Sequence, residues 1–176
     1  QLGRYAWIKF QGRHGHVTRI ISVYVPCKTH RSSGTLTVIN QHRRYFEAQG
    51  MTDCPRSILL ADIQHLLSQW RQDGDWVMAF IDANENMLGG PFHAMFTAPE
   101  LQMREVVSSR HPDPRWLNTA SYSRGQFLGK WPIDGVYVMP DLPFDAATWL
   151  AFMPHLGDHR FAVVDIKAQA LVVDEM

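Results

Sequence analysis

The chain is 176 residues long and 45% hydrophobic, and its 17 basic and 17 acidic side chains give a formal net charge of zero. This length suits one domain with a single core over residues 1–176. The neutral charge gives no overall electrostatic footprint for nucleic acid, so any phosphate binding must be local. No apolar run approaches the roughly 18 residues of a membrane-spanning helix, and the first residues lack the order of a signal peptide. Two cysteines are too few for a disulfide framework. We therefore expect a soluble, intracellular protein without a membrane partner.

The first predicted element is a β-hairpin. Apolar residues alternate along 4–10, and a Gly-Arg-His-Gly turn at 12–15 leads into a second strand-like run over 16–25. Pro26 ends that run, because proline has no amide proton to donate to a neighbouring strand. A Ser-Ser-Gly loop at 32–34 follows.

Two helices are predicted after the hairpin. Between 55 and 72 the apolar residues recur at helical spacing, with Pro55 suited to the first turn and Gly74 just past the end. Residues 38–49 predict a weaker helix that packs one aromatic edge inward. The basic residues of this weaker helix suit a solvated face better than a contact with a polyanion.

The rest of the chain is dominated by strand-like runs. Residues 76–81 form a short continuous apolar run, typical of a strand buried on both faces, and polar residues follow it at once. Further strand-like runs lie at 119–122, 133–139, 148–152 and 161–166. Because strands and helices do not alternate strictly, this order predicts a layered α/β domain with mixed or antiparallel sheets.

Polar residues that could carry chemistry follow or interrupt the apolar runs in four clusters, which hold Tyr24, then Asp82 with Asn84, then Asp134, and finally Asp158 with His159. Taken singly, each cluster is a weak signal. An aspartate at a strand end more often forms a turn or a helix cap, and a tyrosine close to a proline more often belongs to the core. Their order and context carry the information.

In this order the clusters resemble the signature of the endonuclease/exonuclease/phosphatase superfamily, which includes DNase I-like nucleases. The superfamily's Asn-x-Tyr-x-Pro strand corresponds to Ser-Val-Tyr-Val-Pro at 22–26, and its Gly-Asp-x-Asn element to Ile-Asp-Ala-Asn at 81–84. Its Arg-x-Asp strand corresponds to Pro-Ile-Asp at 132–134, and its closing Ser-Asp-His element to Gly-Asp-His at 157–159. The wording is most similar to the endonuclease domains of retroelement-like reading frames.

Three of these motifs depart from the usual wording at one position, with Ser22 in place of Asn, Pro132 in place of Arg and Gly157 in place of Ser. The resemblance implies an α/β, four-layered sandwich of DNase I-like type, in which helices flank two packed mixed or antiparallel sheets. It also implies that the fold is partial and truncated at the N-terminus. The family's metal-binding glutamate and the asparagine before it lie upstream of the hairpin, and no glutamate of this chain fits that position.

The resemblance assigns roles in metal-dependent phosphodiester hydrolysis. Asp82 would orient and deprotonate the attacking water, and the Asn84 amide would donate to that water or to the phosphate; a spacing of two places both side chains on one strand face. His159 would donate to a non-bridging phosphate oxygen, with Asp134 accepting from its other ring nitrogen. Tyr24 would present its hydroxyl to the phosphate.

The resemblance also implies a metal and contacts with the substrate. Asp158 would coordinate the metal directly or through water, and hard carboxylate oxygens suit Mg²⁺ or Mn²⁺ better than zinc. Arg124 and Lys130 precede the strand of Asp134 and could face a phosphate backbone. A solvated loop is an equal alternative for these two residues.

Three functions fit these features. The first is a DNA endonuclease, the nicking module of a mobile-element protein, whose partner is nucleic acid. The second is a phosphomonoesterase of the same superfamily that acts on an inositol or lipid phosphate, a reading that the zero net charge favours. The third is an inactive remnant that acts only as an interaction domain. Because the metal-binding glutamate is expected upstream, we expect the chain alone to be a poor enzyme.

Overall fold

A computed structural model describes residues 2–12, 15–28, 37–107, 120–124, 127–153 and 155–172, with the backbone alone at Arg124, Phe127 and Leu128. The described helices are α1 (Val38–Ala48), α2 (Pro55–Gln72) and α3 (Pro91–Thr97). The described strands are β1 (Tyr5–Gln11), β2 (Val17–Tyr24), β3 (Trp76–Asp82), β4 (Arg104–Glu105), β5 (Ser123–Arg124), β6 (Phe127–Leu128), β7 (Asp134–Val138), β8 (Phe144–Trp149) and β9 (Ala162–Ile166).

A five-stranded mixed sheet in the order β1-β2-β3-β7-β4 forms the centre of the fold. β1 and β2 form the predicted antiparallel hairpin, β2 runs parallel to β3, and β7 pairs antiparallel with both β3 and β4. The parallel pair needs a crossover connection, and α1 and α2 lie within it along the chain. The helices predicted over 38–49 and 55–72 are therefore confirmed.

Alternation along β3 divides the core between the two faces of the sheet. Val77, Ala79 and Ile81 pack into a cluster with residues of α2 and α3. Met78 belongs to a second cluster, which includes residues of β7 and is joined by partly buried residues of β8 and β9. β8 and β9 form a two-stranded antiparallel sheet, and β5 and β6 form another. Among the described residues, the layers are thus helices, the central sheet and the β8-β9 sheet.

Several elements differ from the sequence-based expectation, among them the two-residue strands β4, β5 and β6, which were not predicted. The strand predicted over 148–152 is instead Phe144–Trp149, because pairing with β9 runs from Phe144 opposite Ile166 to Trp149 opposite Ala162. The run predicted at 119–122 gives an isolated bridge at Tyr122. The helix Pro91–Thr97 was not predicted, since seven residues are too few to display a helical repeat.

The predicted loop at 32–34 and Thr119 lie outside the described residues. Within the described residues, no helix has both the length and the apolar character needed to cross a membrane.

We expect the helix-facing cluster to carry much of the stability. Ile63 of α2 is fully buried in this cluster, whereas Leu66 of the same helix is only partly buried against it. Ile63→Ala should lower the free energy of unfolding by about 2–5 kcal/mol, because it removes buried methylene groups and leaves a cavity. Leu66→Ala, the matched control, should cost clearly less. Urea unfolding measures both values, and equal losses would contradict this assignment of the core.

Candidate active site

Three polar side chains lie side by side at one end of the central sheet. The parallel register of β2 and β3 pairs Tyr24 with Asp82, the last residue of each strand. The antiparallel register of β3 and β7 pairs Asp82 with Asp134, the first residue of β7. Neighbouring strands are about 4.8 Å apart, so the row spans about 10 Å. Residues far apart in sequence are brought together by the register alone.

His159 joins this row from the loop that precedes β9. Its Nδ1 atom lies 2.9 Å from Asp134 Oδ2, and its ring packs edge-on against Tyr122, with 5.1 Å between the ring centroids. Asp82, Asp134 and His159 are all half-buried, and each offers one ligand atom within 4.8 Å of the others. The structure therefore brings three of the predicted site residues into direct proximity.

Ser121 was not predicted as a site residue, yet it holds the Asp134–His159 pair in place. The Ser121 side chain is fully buried, and its hydroxyl oxygen accepts from the backbone amides of Ile133 and Asp134, each at 3.0 Å. Its carbonyl accepts from the Arg160 amide at 2.7 Å. The signal in the sequence was faint: a small hydroxyl residue between Ala120 and Tyr122 in an apolar run.

Burial and nearby charges shift the pKa values of the site. Burial, reinforced by the negative charge of Asp134, raises the pKa of Asp82 to about 6. The hydrogen bond to Asp134 raises the pKa of His159 and so favours the imidazolium. An imidazolium that donates from Nδ1 to Asp134 keeps its Nε2 proton for another acceptor. Burial raises the pKa of Tyr24, so its hydroxyl stays protonated and can donate.

Asn84 lies outside β3, which ends at Asp82, so strand alternation does not place the two on one face. Its backbone has a φ of 47°, and its backbone N–H donates to Asp82 Oδ1 at 3.1 Å. The side chain turns to the loop after β2, where Nδ2 donates to the Val25 carbonyl at 2.8 Å and Oδ1 lies 2.9 Å from Cys27 Sγ.

The other predicted residues are less closely involved. Asp158 is about half exposed, and its Oδ1 lies 3.9 Å from His159 Nε2. Lys130 is exposed in the loop between β6 and β7. The backbone of Arg124 belongs to β5, but its side chain lies outside the described part of the chain.

The acidic residues of the site fit a hard divalent cation. Asp82 and Asp134 present carboxylate oxygens within 4.8 Å of each other, and such oxygens suit Mg²⁺ or Mn²⁺, whereas His159 as an imidazolium has no lone pair for the ion. The raised pKa of Asp82 reflects burial together with the charge of Asp134, and a bound cation would offset this repulsion. Asp158, the ligand predicted from the sequence, lies beside this group.

Comparison with known proteins identifies the fold. No protein-family model and no curated protein sequence matches the chain. Several solved structures resemble it. One is an endonuclease/exonuclease/phosphatase from Bacteroides vulgatus, with 13% identity and a TM-score of 0.51, which covers 93% of this chain and 55% of the other. Another is the catalytic domain of Xenopus laevis APE2, with 15% identity and a TM-score of 0.52, which covers 93% of this chain and 56% of the other. The chain thus spans just over half the length of these structures.

The chain has part of a DNase I-like fold, similar to the fold of these two structures. The predicted α/β class and the partial DNase I-like fold that the motifs implied are confirmed. At 13% and 15% identity, the likeness establishes the fold and leaves the chemistry to the residues of the site.

The pKa of Asp82 predicts that this residue destabilises the folded chain at neutral pH. Its folded pKa of about 6 exceeds the ordinary value of 3.8 for an aspartate, so folding favours the protonated form. The resulting stabilisation is complete below pH 4 and lost as the pH rises through 6. Asp82→Asn should therefore be more stable than the parent at pH 7, by at most about 3 kcal/mol, with a much smaller difference at pH 4.

Urea unfolding of both proteins at pH 4, 5, 6 and 7 measures this difference. Asp62→Asn, which changes an exposed carboxylate on α2, is the matched control and should show no comparable gain. A difference between Asp82→Asn and the parent that stays constant from pH 4 to pH 7 would contradict the prediction.

Proposed function

We propose that the chain carries most of the active site of a metal-dependent phosphodiester hydrolase, and that its substrate is DNA, cut as an endonuclease. The observation that carries this proposal is the His159–Asp134 hydrogen bond of 2.9 Å beside the half-buried Asp82, at the ends of neighbouring strands. A base, a cationic donor and candidate metal ligands are the groups that hydrolysis of a phosphodiester requires.

Asp82 has the properties of the general base. With a pKa of about 6, it is mostly ionised at neutral pH and still has appreciable affinity for a proton, which is the range in which general bases work best. It would accept a proton from the water that attacks phosphorus. The backbone amide of Asn84 donates to Asp82 Oδ1 and so fixes the orientation of this carboxylate.

His159, Tyr24 and Asn84 are the proposed donors to the phosphate. The imidazolium of His159 keeps its Nε2 proton for a non-bridging oxygen, because Asp134 accepts the Nδ1 proton. The Tyr24 hydroxyl, protonated at neutral pH, and the side-chain amide of Asn84 would donate to other phosphate oxygens. Donors fixed before the reaction stabilise charge that develops in the transition state.

Asp158 and Asp134 would hold the Mg²⁺ or Mn²⁺ ion, which when bound supplies positive charge to the phosphate and to the leaving oxygen, and Asp82 would remain free to accept the proton. Glu85 is not placed to assist, because its carboxylate pairs with Arg56 and accepts from the Phe92 amide. The superfamily's metal-binding glutamate is expected upstream of the hairpin. We therefore expect weak activity from the 176 residues alone and higher activity from a protein extended upstream.

DNA is favoured as the substrate by the wording of the motifs, which is most similar to retroelement-type endonucleases. With a net charge of zero, binding must depend on local contacts, and Lys130 and Arg124 are the proposed ones. The neutral charge also fits a small substrate, so a phosphomonoester of inositol or lipid type is the second candidate. The same base, donors and metal would serve either ester.

Nicking of supercoiled plasmid in Mg²⁺ tests the proposal. We expect the protein, alone or extended upstream, to nick the plasmid, and chelator to abolish the reaction. Asp82→Ala and His159→Ala should each lower the rate on the order of 10²–10⁴-fold, as expected for loss of an acid–base group. Asp62→Ala, an exposed carboxylate change on α2, is the control and should retain full activity.

A parallel assay with inositol phosphates separates the candidate functions. Release of inorganic phosphate without plasmid nicking would replace the endonuclease with the phosphomonoesterase. Absence of both activities in the extended protein would leave the noncatalytic interaction domain. Nicking that persists in chelator, or that Asp82→Ala does not slow, would refute the assignment of the site.

A further inference from the structure

Arg56, in the first turn of α2, is a buried charge outside the catalytic row. Only 6% of it is exposed, and its guanidinium donates to the Pro26 carbonyl at 2.6 Å and to the Ala83 carbonyl at 3.0 Å. It also pairs with Glu85 Oε2 at 2.5 Å. A positive charge at a helix N-terminus opposes the helix dipole, and burying it has a desolvation cost. Its location therefore calls for an explanation other than helix stability.

The three acceptors of Arg56 belong to the two loops that follow the strands ending in Tyr24 and Asp82. Pro26 lies in the loop that follows β2, and Ala83 and Glu85 flank Asn84 in the loop that follows β3. A planar guanidinium with five N–H donors can bind several acceptors at fixed angles. One side chain thus sets the distance between the two loops.

The side chain of Asn84 depends on that distance. A carbonyl only accepts, so the bond from Nδ2 to the Val25 carbonyl directs Oδ1 to the Cys27 thiol at 2.9 Å, and the thiol is the donor. Both partners of the amide belong to the loop after β2, while Asn84 belongs to the loop after β3. A shift of one loop would break both bonds and rotate the amide.

Glu85, the partner of Arg56 in this ion pair, also contacts α3. While Glu85 Oε2 binds Arg56, Oε1 accepts from the Phe92 amide at 3.0 Å. Gly90 packs so closely that an added Cβ would lie 2.6 Å from Glu85 Oε1. Glu85 is therefore held on both sides, and the guanidinium that it binds has little freedom to move.

We propose that Arg56 is a positioning residue of the hydrolytic site, which clamps the loops after β2 and β3 together and so orients the Asn84 amide for the phosphate. This inference rests on the proposed function. Lysine cannot replace Arg56, because a single ammonium group cannot reproduce the planar arrangement of donors that binds three acceptors at once. The Cys27 thiol reports on the clamp, since its hydrogen bond to Asn84 breaks when the loops separate.

The test uses Arg56→Lys in a Cys54→Ser background, in which Cys27 is the only thiol. Serine suits position 54, the N-cap of α2. The rate of alkylation of Cys27 by iodoacetamide should rise about fivefold, as the loss of one ordinary hydrogen bond would give. On plasmid with Mg²⁺, kcat should fall about ten- to a hundredfold with KM nearly unchanged, because the donor is misplaced.

Arg19→Lys is the matched control. Arg19 forms a comparably buried ion pair with Asp75, also at 2.5 Å, but it lies on β2 five residues before Tyr24, toward the opposite end of the sheet. Both substitutions should lower Tm, whereas only Arg56→Lys should change the alkylation rate and kcat. Changes of equal size in the control would reduce Arg56 to a residue of general stability and overturn the proposal.

If Arg56→Lys does not fold, the double variant Arg56→Gln with Glu85→Gln is measured in its place, since it leaves no lone buried charge. An alkylation rate and a kcat equal to those of the parent, in either folded variant, overturn the clamp. Absence of turnover by the parent, alone and extended upstream, overturns the proposed function instead; the alkylation rate still tests the clamp, because it needs no catalysis.

Discussion

The site depends on a repulsion that the sheet enforces. The antiparallel register of β3 and β7 places the carboxylates of Asp82 and Asp134 on neighbouring strands in half-buried surroundings. Burial raises the pKa of Asp82 most, the like charge of Asp134 raises it further, and the nearby His159 offsets these effects only in part. Asp82 is left with a raised pKa. Burial and the like charge of Asp134 together give Asp82 the affinity for protons that suits a base, and the same paired carboxylates favour a cation.

The apolar core keeps that register in place. β3 buries alternate side chains on opposite faces, with Ala79 and Ile81 toward the helices and Met78 toward the second sheet. A slip of one residue would exchange the two sets and move Asp82 away from Asp134. Packing that is remote from the site therefore sustains an arrangement that is unfavourable locally, in keeping with the common finding that active sites are not optimised for stability.

The sequence predicted what depends on local pattern. The boundaries of α2 were predicted to the residue, because helical spacing and the proline and glycine signals all lie within the segment itself. The bounds of β8 were misplaced because its partner β9 decides where pairing ends. Ser121 acts only through residues 12 to 39 positions away, and no local pattern marks such a role. The grouping of Asp82, Asp134 and His159 was predictable only through the resemblance.

The position of the Asn84 side chain was predicted from strand alternation, and that prediction was wrong. Strand alternation would have placed it beside Asp82, but the strand ends at Asp82, and Asn84 adopts a φ of 47°. Such a backbone persists in a residue other than glycine when its surroundings hold it. The holding contacts come from Val25, Cys27 and, through the neighbouring carbonyl, Arg56. The register of the sheet thus fixes the carboxylates, whereas the amide depends on contacts between two loops, which makes it the part of the site most sensitive to changes outside the row.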